Sequence, residues 1–195
     1  MPHITRDSLM TLEAYSKARR DFRARVMAHK KSRSLPLGEH ITLIFEDELT
    51  IRYQIQEMLR VERIFEEKGI EDEIEAYNPL IPDGANWKAT MMIEYPDVEE
   101  RRAMLAKLIG VEDRVWIEVA GHARVRAVAD EDLERENAEK TSSVHFLRFE
   151  LTREMVRALK DGARLAAGID HPACSVTITE VDPAVRASLV NDLAG

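Results

Sequence analysis

Cysteine is nearly missing from this chain, which has one, Cys174, among 195 residues. A single thiol excludes an internal disulfide and any zinc or iron–sulfur centre held by several cysteines of the chain. It is also typical of a reducing compartment, so we expect a cytoplasmic location. We place Cys174 on a strand as a small core side chain; the alternative is a reactive thiol beside His171.

Long apolar runs are missing as well. No stretch approaches the roughly 18 consecutive apolar residues of a membrane-spanning helix. The segment from Met1 to Leu12 has no apolar run behind a basic start, as a signal peptide would. We therefore expect no leader and no association with a membrane. Apolar residues make up 45% of the chain, enough for a sizeable buried core.

Sequence motifs of known chemistry are also lacking. There is no GxSxG, Walker loop or GxGxxG. The six histidines show no HxH, HxxxH or HExxH spacing, and the paired ExxH motifs of a di-iron bundle are absent. The motifs therefore assign no metal ligand, no cofactor and no catalytic residue.

Hydrophobic periodicity predicts an α+β fold. Apolar residues three and four apart between Leu9 and Val26 predict a long N-terminal helix, capped by Asp7 or Ser8. Later helices are predicted to begin at the caps Asp97, Thr152 and Asp182. Alternating apolar residues predict several strands, most clearly in a hairpin that turns at Gly121. In the strand from Trp87 to Tyr95, alternation predicts that Trp87, Ala89, Met91 and Ile93 face inward. Because strands and helices do not alternate regularly, we expect a largely antiparallel sheet with helices packed on one side.

The segment from Asp130 to Lys140 is a charged helical turn or loop with little to bury. We interpret residues 1–140 as a helix-rich α+β unit and residues 141–195 as a C-terminal β-α-β-β-α unit. We expect the two units to pack as one compact domain.

Basic residues are concentrated in the first predicted helix, although the chain has a formal net charge of −8. They lie mostly off its apolar stripe, so we expect a solvent-exposed docking surface for an acidic partner. Its members are Arg19, Arg20, Arg23, Lys30 and Lys31. Nucleic-acid binding through this helix is an alternative that the net charge and the lack of interleaved aromatic residues disfavour.

The second predicted helix, from Glu48 to Glu66, carries polar residues where its periodicity demands apolar ones. At about 100° per residue, the apolar arc consists of Ile51, Ile55, Met58, Leu59, Val61 and Phe65. Gln54, Glu57 and Glu62 fall within or beside this arc, with Arg52, Gln56, Arg60 and Arg63 opposite. A buried carboxylate is costly unless it is paired. The ordinary interpretation is a structural pair with an arginine; the alternative is a polar pocket for a cation, a proton or a ligand.

His145 alternates with Leu147 and Phe149 on a predicted strand, so we expect it to point inward. An inward histidine is ordinarily a hydrogen-bonded core residue. The alternative is a metal-dependent enzyme that draws His145 together with glutamates. The candidates are Glu46, Glu57, Glu62 and Glu94, and nothing in their spacing brings them together.

Several runs of residues resemble an uncharacterised bacterial family of unknown function. They are Phe45-Glu46, Thr50, Gln54 to Arg60, Glu62 to Ile64, Tyr77 to Gly84, Ala89 to Glu94, Val144 to Phe149 and Ile169 to Pro172. The resemblance implies no activity, fold or catalytic residue. Members resemble proteins encoded near rubrerythrin-like and heterodisulfide-reductase-like iron–sulfur proteins, which implies an accessory role in a redox or peroxide-handling pathway.

Our first hypothesis is therefore a non-catalytic accessory protein that binds a ligand or a partner. Its partner is an iron–sulfur or rubrerythrin-like redox protein, and the chain itself forms a homodimer. The candidate ligand-binding residues are Arg52, Gln54, Gln56, Glu57, Arg60, Glu62, Asn78, Glu94 and His145. The metal-dependent enzyme and the nucleic-acid-binding protein are the alternatives.

Overall fold

The computed structural model describes residues 3–194. Over this range the helices are α1 (Leu12–Lys30), α2 (Glu48–Val61), α3 (Glu67–Tyr77), α4 (Val98–Lys107), α5 (Arg153–Lys160) and α6 (Pro183–Val190). The strands are β1 (Ser34–Pro36), β2 (Ile41–Phe45), β3 (Asn86–Ile93), β4 (Val115–Val119), β5 (Val125–Arg126), β6 (Val128–Ala129), β7 (Val144–Glu150), β8 (Leu165–His171) and β9 (Cys174–Ile178). The α+β class and the long N-terminal helix are confirmed.

The named strands pair antiparallel throughout, as expected, but they form two sheets. The first has the order β1-β2-β3-β7-β6 and the second the order β5-β4-β8-β9. Buried residues of both sheets, such as Leu43 and Trp87 from the first and Ile117 and Ile169 from the second, belong to one core cluster. Dividing the strands in this way lets two sheets share one apolar core.

Alternation correctly identifies the inward face of β3. Trp87, Ala89, Met91 and Ile93 are all buried. β3 pairs with β7 so that Met91 lies opposite His145. This register places the His145 side chain on the buried face of the first sheet.

Strands from both sides of residue 140 contribute to each sheet. In the first sheet β7 pairs with β3, and in the second β8 pairs with β4. The two segments 1–140 and 141–195 therefore share both sheets.

Helix α1 packs through the predicted stripe, in which Tyr15 and Val26 are buried. It begins later than predicted. Thr11 is its cap and accepts a hydrogen bond from the Ala14 amide at 3.2 Å. The expected caps Asp7 and Ser8 lie instead in a short 3₁₀ turn, where the Ser8 hydroxyl accepts from the Thr5 amide. In residues 3–194 no helix is both long and apolar enough to cross a membrane.

Helix α2 ends at Val61 and not at Glu66. Arg63 has a φ of 55°, in the left-handed region. A residue in this conformation ends a right-handed helix. The next helix, α3, then begins at Glu67, so Arg63 lies in the turn that separates α2 from α3.

Candidate functional site

The buried face of α2 is rotated relative to the predicted apolar arc, so the prediction is partly wrong. The buried face follows Ile51, Ile55 and Leu59, which recur every four residues. Val61 and Phe65, which belonged to the predicted arc, are 58% and 72% exposed. Gln54 and Glu62, predicted at or within the arc, are therefore exposed.

Gln56, predicted on the polar side of α2, is fully buried. Its side-chain oxygen accepts a hydrogen bond from the Met10 amide at 2.7 Å, and its amide nitrogen donates to the Met10 carbonyl at 3.3 Å. Both polar atoms of the side chain are thus satisfied by the N-terminal segment. Gln56 therefore anchors the chain ahead of α1.

Of the two carboxylates of α2 that were predicted to be buried, Glu57 is largely covered, with its side chain 17% exposed. It accepts hydrogen bonds from Arg19 Nε at 2.7 Å, from the Tyr15 hydroxyl at 2.6 Å and from Arg60 at 3.2 Å. The Arg19 hydrogen bond is the largest cause of lowering the Glu57 pKa to about 2. Burial, together with the hydrogen bond to Glu57, raises the pKa of Tyr15. These contacts link α2 to α1.

The other predicted ligand-binding residues do not converge on one site. Arg52 pairs with Glu48 of its own helix. Asn78 donates to the Ile4 carbonyl at 2.9 Å and accepts from the Ile4 amide at 3.0 Å, which fastens the N-terminal segment. Glu94 is exposed. Because Glu62 and Glu94 are exposed and His145 is fully buried, the fold does not bring them together.

The basic residues of α1 are divided by the fold. Arg19 is engaged by Glu57. Arg20, Arg23 and Lys31 are exposed, and Lys30 is half-buried. An exposed basic surface therefore remains on α1 without Arg19.

The Cys174 thiol lies half-buried at the start of β9. Burial raises its pKa, which reduces the thiolate fraction at neutral pH. His171 forms its hydrogen bonds with the backbone of Ala173 and Ile109. These observations favour the small core side chain over the reactive thiol.

His145 lies between two carboxylates that the sequence analysis missed, Asp130 and Glu112. Its Nδ1 is 2.6 Å from Asp130 Oδ2 and 3.9 Å from Glu112 Oε1. Its Nε2 is 3.0 Å from the Ser142 carbonyl oxygen and 2.9 Å from the Thr141 hydroxyl. Because a carbonyl oxygen only accepts, Nε2 carries a hydrogen and Nδ1 is the nitrogen that faces the carboxylates.

Both carboxylates are held by further contacts. Asp130 Oδ1 accepts from the Phe146 amide at 2.9 Å and from Arg135 at 3.2 Å. Burial is the largest cause that raises the pKa of Glu112, whose side chain is 6% exposed. The charge of Glu136, whose carboxylate accepts a hydrogen bond from the Gly110 amide at 2.8 Å, also raises the Glu112 pKa. Here buried acidic groups surround one imidazole.

No spacing of residues in the sequence indicates this cluster. Glu112 lies in a 3₁₀ turn before β4. Asp130 begins the charged segment that was expected to bury little, and its φ of 48° is not visible in the sequence. The inward alternation of His145 is the single signal that points to the site.

A second site lies on the other face of β7, where a groove of about 580 Å³ is bounded by α2, α3 and the segment after Asp130. Its apolar walls include Met58, Tyr77, Leu80 and Phe146, and Lys88, Arg135 and Arg148 are its cations. Arg148 is paired with Glu131 and Glu150, and Arg135 with Asp132. Both arginines therefore already have carboxylate partners.

Lys88 differs from the two arginines. Its side chain is half-buried, and within residues 3–194 it has no carboxylate within 4.0 Å and no side-chain hydrogen bond. Burial and the nearby Arg148 charge lower the pKa of Lys88, against the opposing effect of the more distant carboxylates of Glu131, Asp83 and Glu150. The sequence analysis missed this residue because alternation on β3 indicates only that it faces away from the core.

The chain matches a model of a protein family of unknown function, DUF3501, over residues 3–193. It is also similar to a protein of unknown function from Burkholderia pseudomallei K96243, whose crystal structure has a TM-score of 0.94 to this chain at 58% identity, covering 100% of both chains. A comparison with curated proteins finds no match.

Proposed function

The chain belongs to the DUF3501 family of proteins of unknown function, and we propose that it is a non-catalytic protein that binds an amphipathic carboxylate in the groove beside α3. The observation that carries this proposal is Lys88. A half-buried ammonium without an ion-pair partner is costly until an anion reaches it. In this groove a ligand carboxylate supplies the missing partner.

The shape of the groove supports a ligand that is partly apolar. A volume of about 580 Å³ is within the range of small-molecule sites. Met58, Leu80 and Phe146 offer apolar surface for a hydrocarbon chain or a ring. Arg135 lies over the Phe146 ring, with its guanidinium carbon 4.6 Å from the ring centroid, and covers part of that surface.

We also propose the finer parts of the accessory role. The protein acts in the cytoplasm and as a homodimer. It works beside an iron–sulfur or rubrerythrin-like redox protein, the partner that the family resemblance implies. The exposed basic side chains Arg20 and Arg23 of α1, together with Lys31 at its C-cap, are the surface for that acidic partner. Charge complementarity of this kind acts mainly on the rate of association.

Competition between decanoate and a fluorescent naphthalenesulfonate probe tests the groove proposal. Decanol, which has the same chain and no charge, measures the apolar contribution alone. We expect Lys88→Met to weaken decanoate binding about 10- to 100-fold, the value of a charge-assisted hydrogen bond, and to leave decanol binding unchanged.

Lys107→Met is the matched control, because Lys107 is exposed at the end of α4, away from the groove. It should leave both ligands unaffected. Native protein that binds neither ligand, or Lys88→Met that weakens decanoate and decanol equally, would contradict the proposal. Circular dichroism establishes that each variant is folded.

A further inference from the structure

We infer that Glu112, Asp130 and His145 form a buried binding site for a divalent transition-metal ion. The inference does not rest on the groove or on its ligand. Glu112 comes from the turn before β4, Asp130 from the segment after β6, and His145 from β7. A bound ion would join these three segments at one point.

The distances fit a single ion. One ligand atom from each of the three side chains lies within 4.8 Å of the other two. Ligands at about 2.0–2.2 Å from a tetrahedral ion are about 3.4 Å from one another. His145 Nδ1 lies 3.9 Å from Glu112 Oε1 and 2.6 Å from Asp130 Oδ2, on either side of that value.

The imidazole is oriented as a metal ligand. Its Nε2 faces the Ser142 carbonyl oxygen, which accepts the Nε2 hydrogen, so Nδ1 is the nitrogen that an ion between the carboxylates would bind. Metal-binding histidines characteristically donate their other ring hydrogen to a carbonyl or a carboxylate in this way. The Thr141 hydroxyl lies 2.9 Å from Nε2 and 3.5 Å from Glu112 Oε2, so it contacts two of the three ligands.

The balance of charge also favours a cation. Two buried carboxyl groups, those of Glu112 and Asp130, meet at one imidazole. Arg135 is the neighbouring cation, and it is shared between Asp130 and Asp132. Buried carboxylates require a compensating charge, and an ion between Glu112 and Asp130 provides it.

The donor set indicates the class of ion. An imidazole with carboxylates suits Zn²⁺, Mn²⁺ or Fe²⁺ better than Mg²⁺, which prefers oxygen ligands alone. The His145 side chain is fully buried and those of Glu112 and Asp130 are 6% and 9% exposed, so the site is closed to substrates. The ion's role is therefore structural: it holds the segment between Asp130 and Thr141 against the first sheet.

The experiment uses the full chain, produced without an affinity tag and purified without metal resin. Elemental analysis should find one zinc, manganese or iron ion per chain. After chelation, added Zn²⁺ or Mn²⁺ should raise the melting temperature, and Mg²⁺ should not. Replacing the metal with Co²⁺ should give a visible absorption band that reports nitrogen and oxygen ligands.

Variants separate a metal site from an ordinary buried network. Glu112→Gln and His145→Gln should lose the ion, and Thr141→Val should bind it about 10- to 100-fold more weakly. His171→Gln, which changes the other buried histidine, should retain it. If His145→Gln fails to fold, Glu112→Gln and the Co²⁺ spectrum of the native protein still decide.

The inference would be overturned if the native protein holds no transition metal and its melting temperature does not change when Zn²⁺ or Mn²⁺ is added. The three residues would then be an imidazolium–carboxylate network. Equal loss of metal in His171→Gln would overturn it as well. Either result leaves the groove proposal intact, because decanoate binding through Lys88 is measured independently.

Discussion

Glu57 of α2 accepts two hydrogen bonds from Arg19 of α1, from Nε at 2.7 Å and from the terminal NH2 nitrogen at 2.9 Å. This two-point contact fixes both the distance and the orientation between the helices. The Tyr15 hydroxyl adds a third hydrogen bond to the same carboxylate. The Arg19 side chain is 36% exposed and that of Glu57 17% exposed, so water partly screens the pair.

The first prediction concerns the pH dependence of this contact. The folded-state pKa of Glu57 is about 2, below its ordinary value of 4.5. A lowered pKa stabilises the fold above pH 4.5, and the contribution is lost as the pH falls from 4.5 towards 2. We expect Glu57→Gln to lower the free energy of unfolding by about 1–3 kcal/mol at neutral pH.

Urea unfolding at a series of pH values checks this prediction. The difference between native protein and Glu57→Gln should shrink steadily below about pH 4.5. Glu62→Gln is the control, since Glu62 is exposed on the same helix, and it should have little effect at any pH. A difference that does not change with pH would show that ionisation of Glu57 is not responsible.

The second prediction concerns Arg33, which is 1% exposed. Its guanidinium donates to the Phe45 carbonyl at 2.8 Å, to the Glu46 carbonyl at 3.1 Å and to Asp192 at 2.5 Å. The C-terminal segment is thereby fastened to β2. Arg33→Met leaves Asp192 and two carbonyl groups without this donor, and we expect a loss of about 3–5 kcal/mol.

Arg23→Met is the control for this loss, because Arg23 is exposed on α1 and its replacement should change stability by under about 0.5 kcal/mol. Chemical denaturation measures both variants. Similar stability of the two would mean that the buried guanidinium contributes no more than a surface charge.

Periodicity predicts those parts of this fold that depend on neighbouring residues. The inward face of β3 and the caps Asp97, Thr152 and Asp182 follow from local patterns, and the structure confirms them. Each of these features is decided within a few residues of chain. Their energetic reasons, burial of alternate side chains and satisfaction of free amides, are therefore visible in the sequence.

The candidate site could not be predicted in the same way. Glu112, Asp130 and His145 meet only because β7 enters the sheet beside β3 and the segment after β6 folds back over it. On α2, the predicted arc wrongly includes Phe65, which is exposed and lies beyond the end of the helix at Val61. The apolar character of Phe65 does not indicate that the helix ends before it. Both outcomes depend on tertiary contacts that local patterns do not contain.

The last prediction concerns the basic surface of α1, for which a protein partner and a nucleic acid are the competing interpretations. Exposed Arg20, Arg23 and Lys31 offer positive charge, but Arg19 is already neutralised by Glu57. The chain as a whole has a formal net charge of −8, which repels phosphate outside this patch.

We therefore expect no sub-micromolar binding to duplex DNA in a band-shift assay at about 0.15 M salt, where the Debye length is roughly 8 Å. Any weaker binding should disappear steeply with added salt and in the double variant Arg20→Glu, Arg23→Glu. The variant Arg102→Glu, on the exposed side of α4, serves as a control for the change in charge. Tight binding to DNA at this salt concentration would contradict the prediction if the α1 double variant abolishes it and the α4 variant retains it. Nucleic-acid binding would then be the favoured interpretation, since the α1 surface would recognise a polyanion despite the negative net charge of the chain.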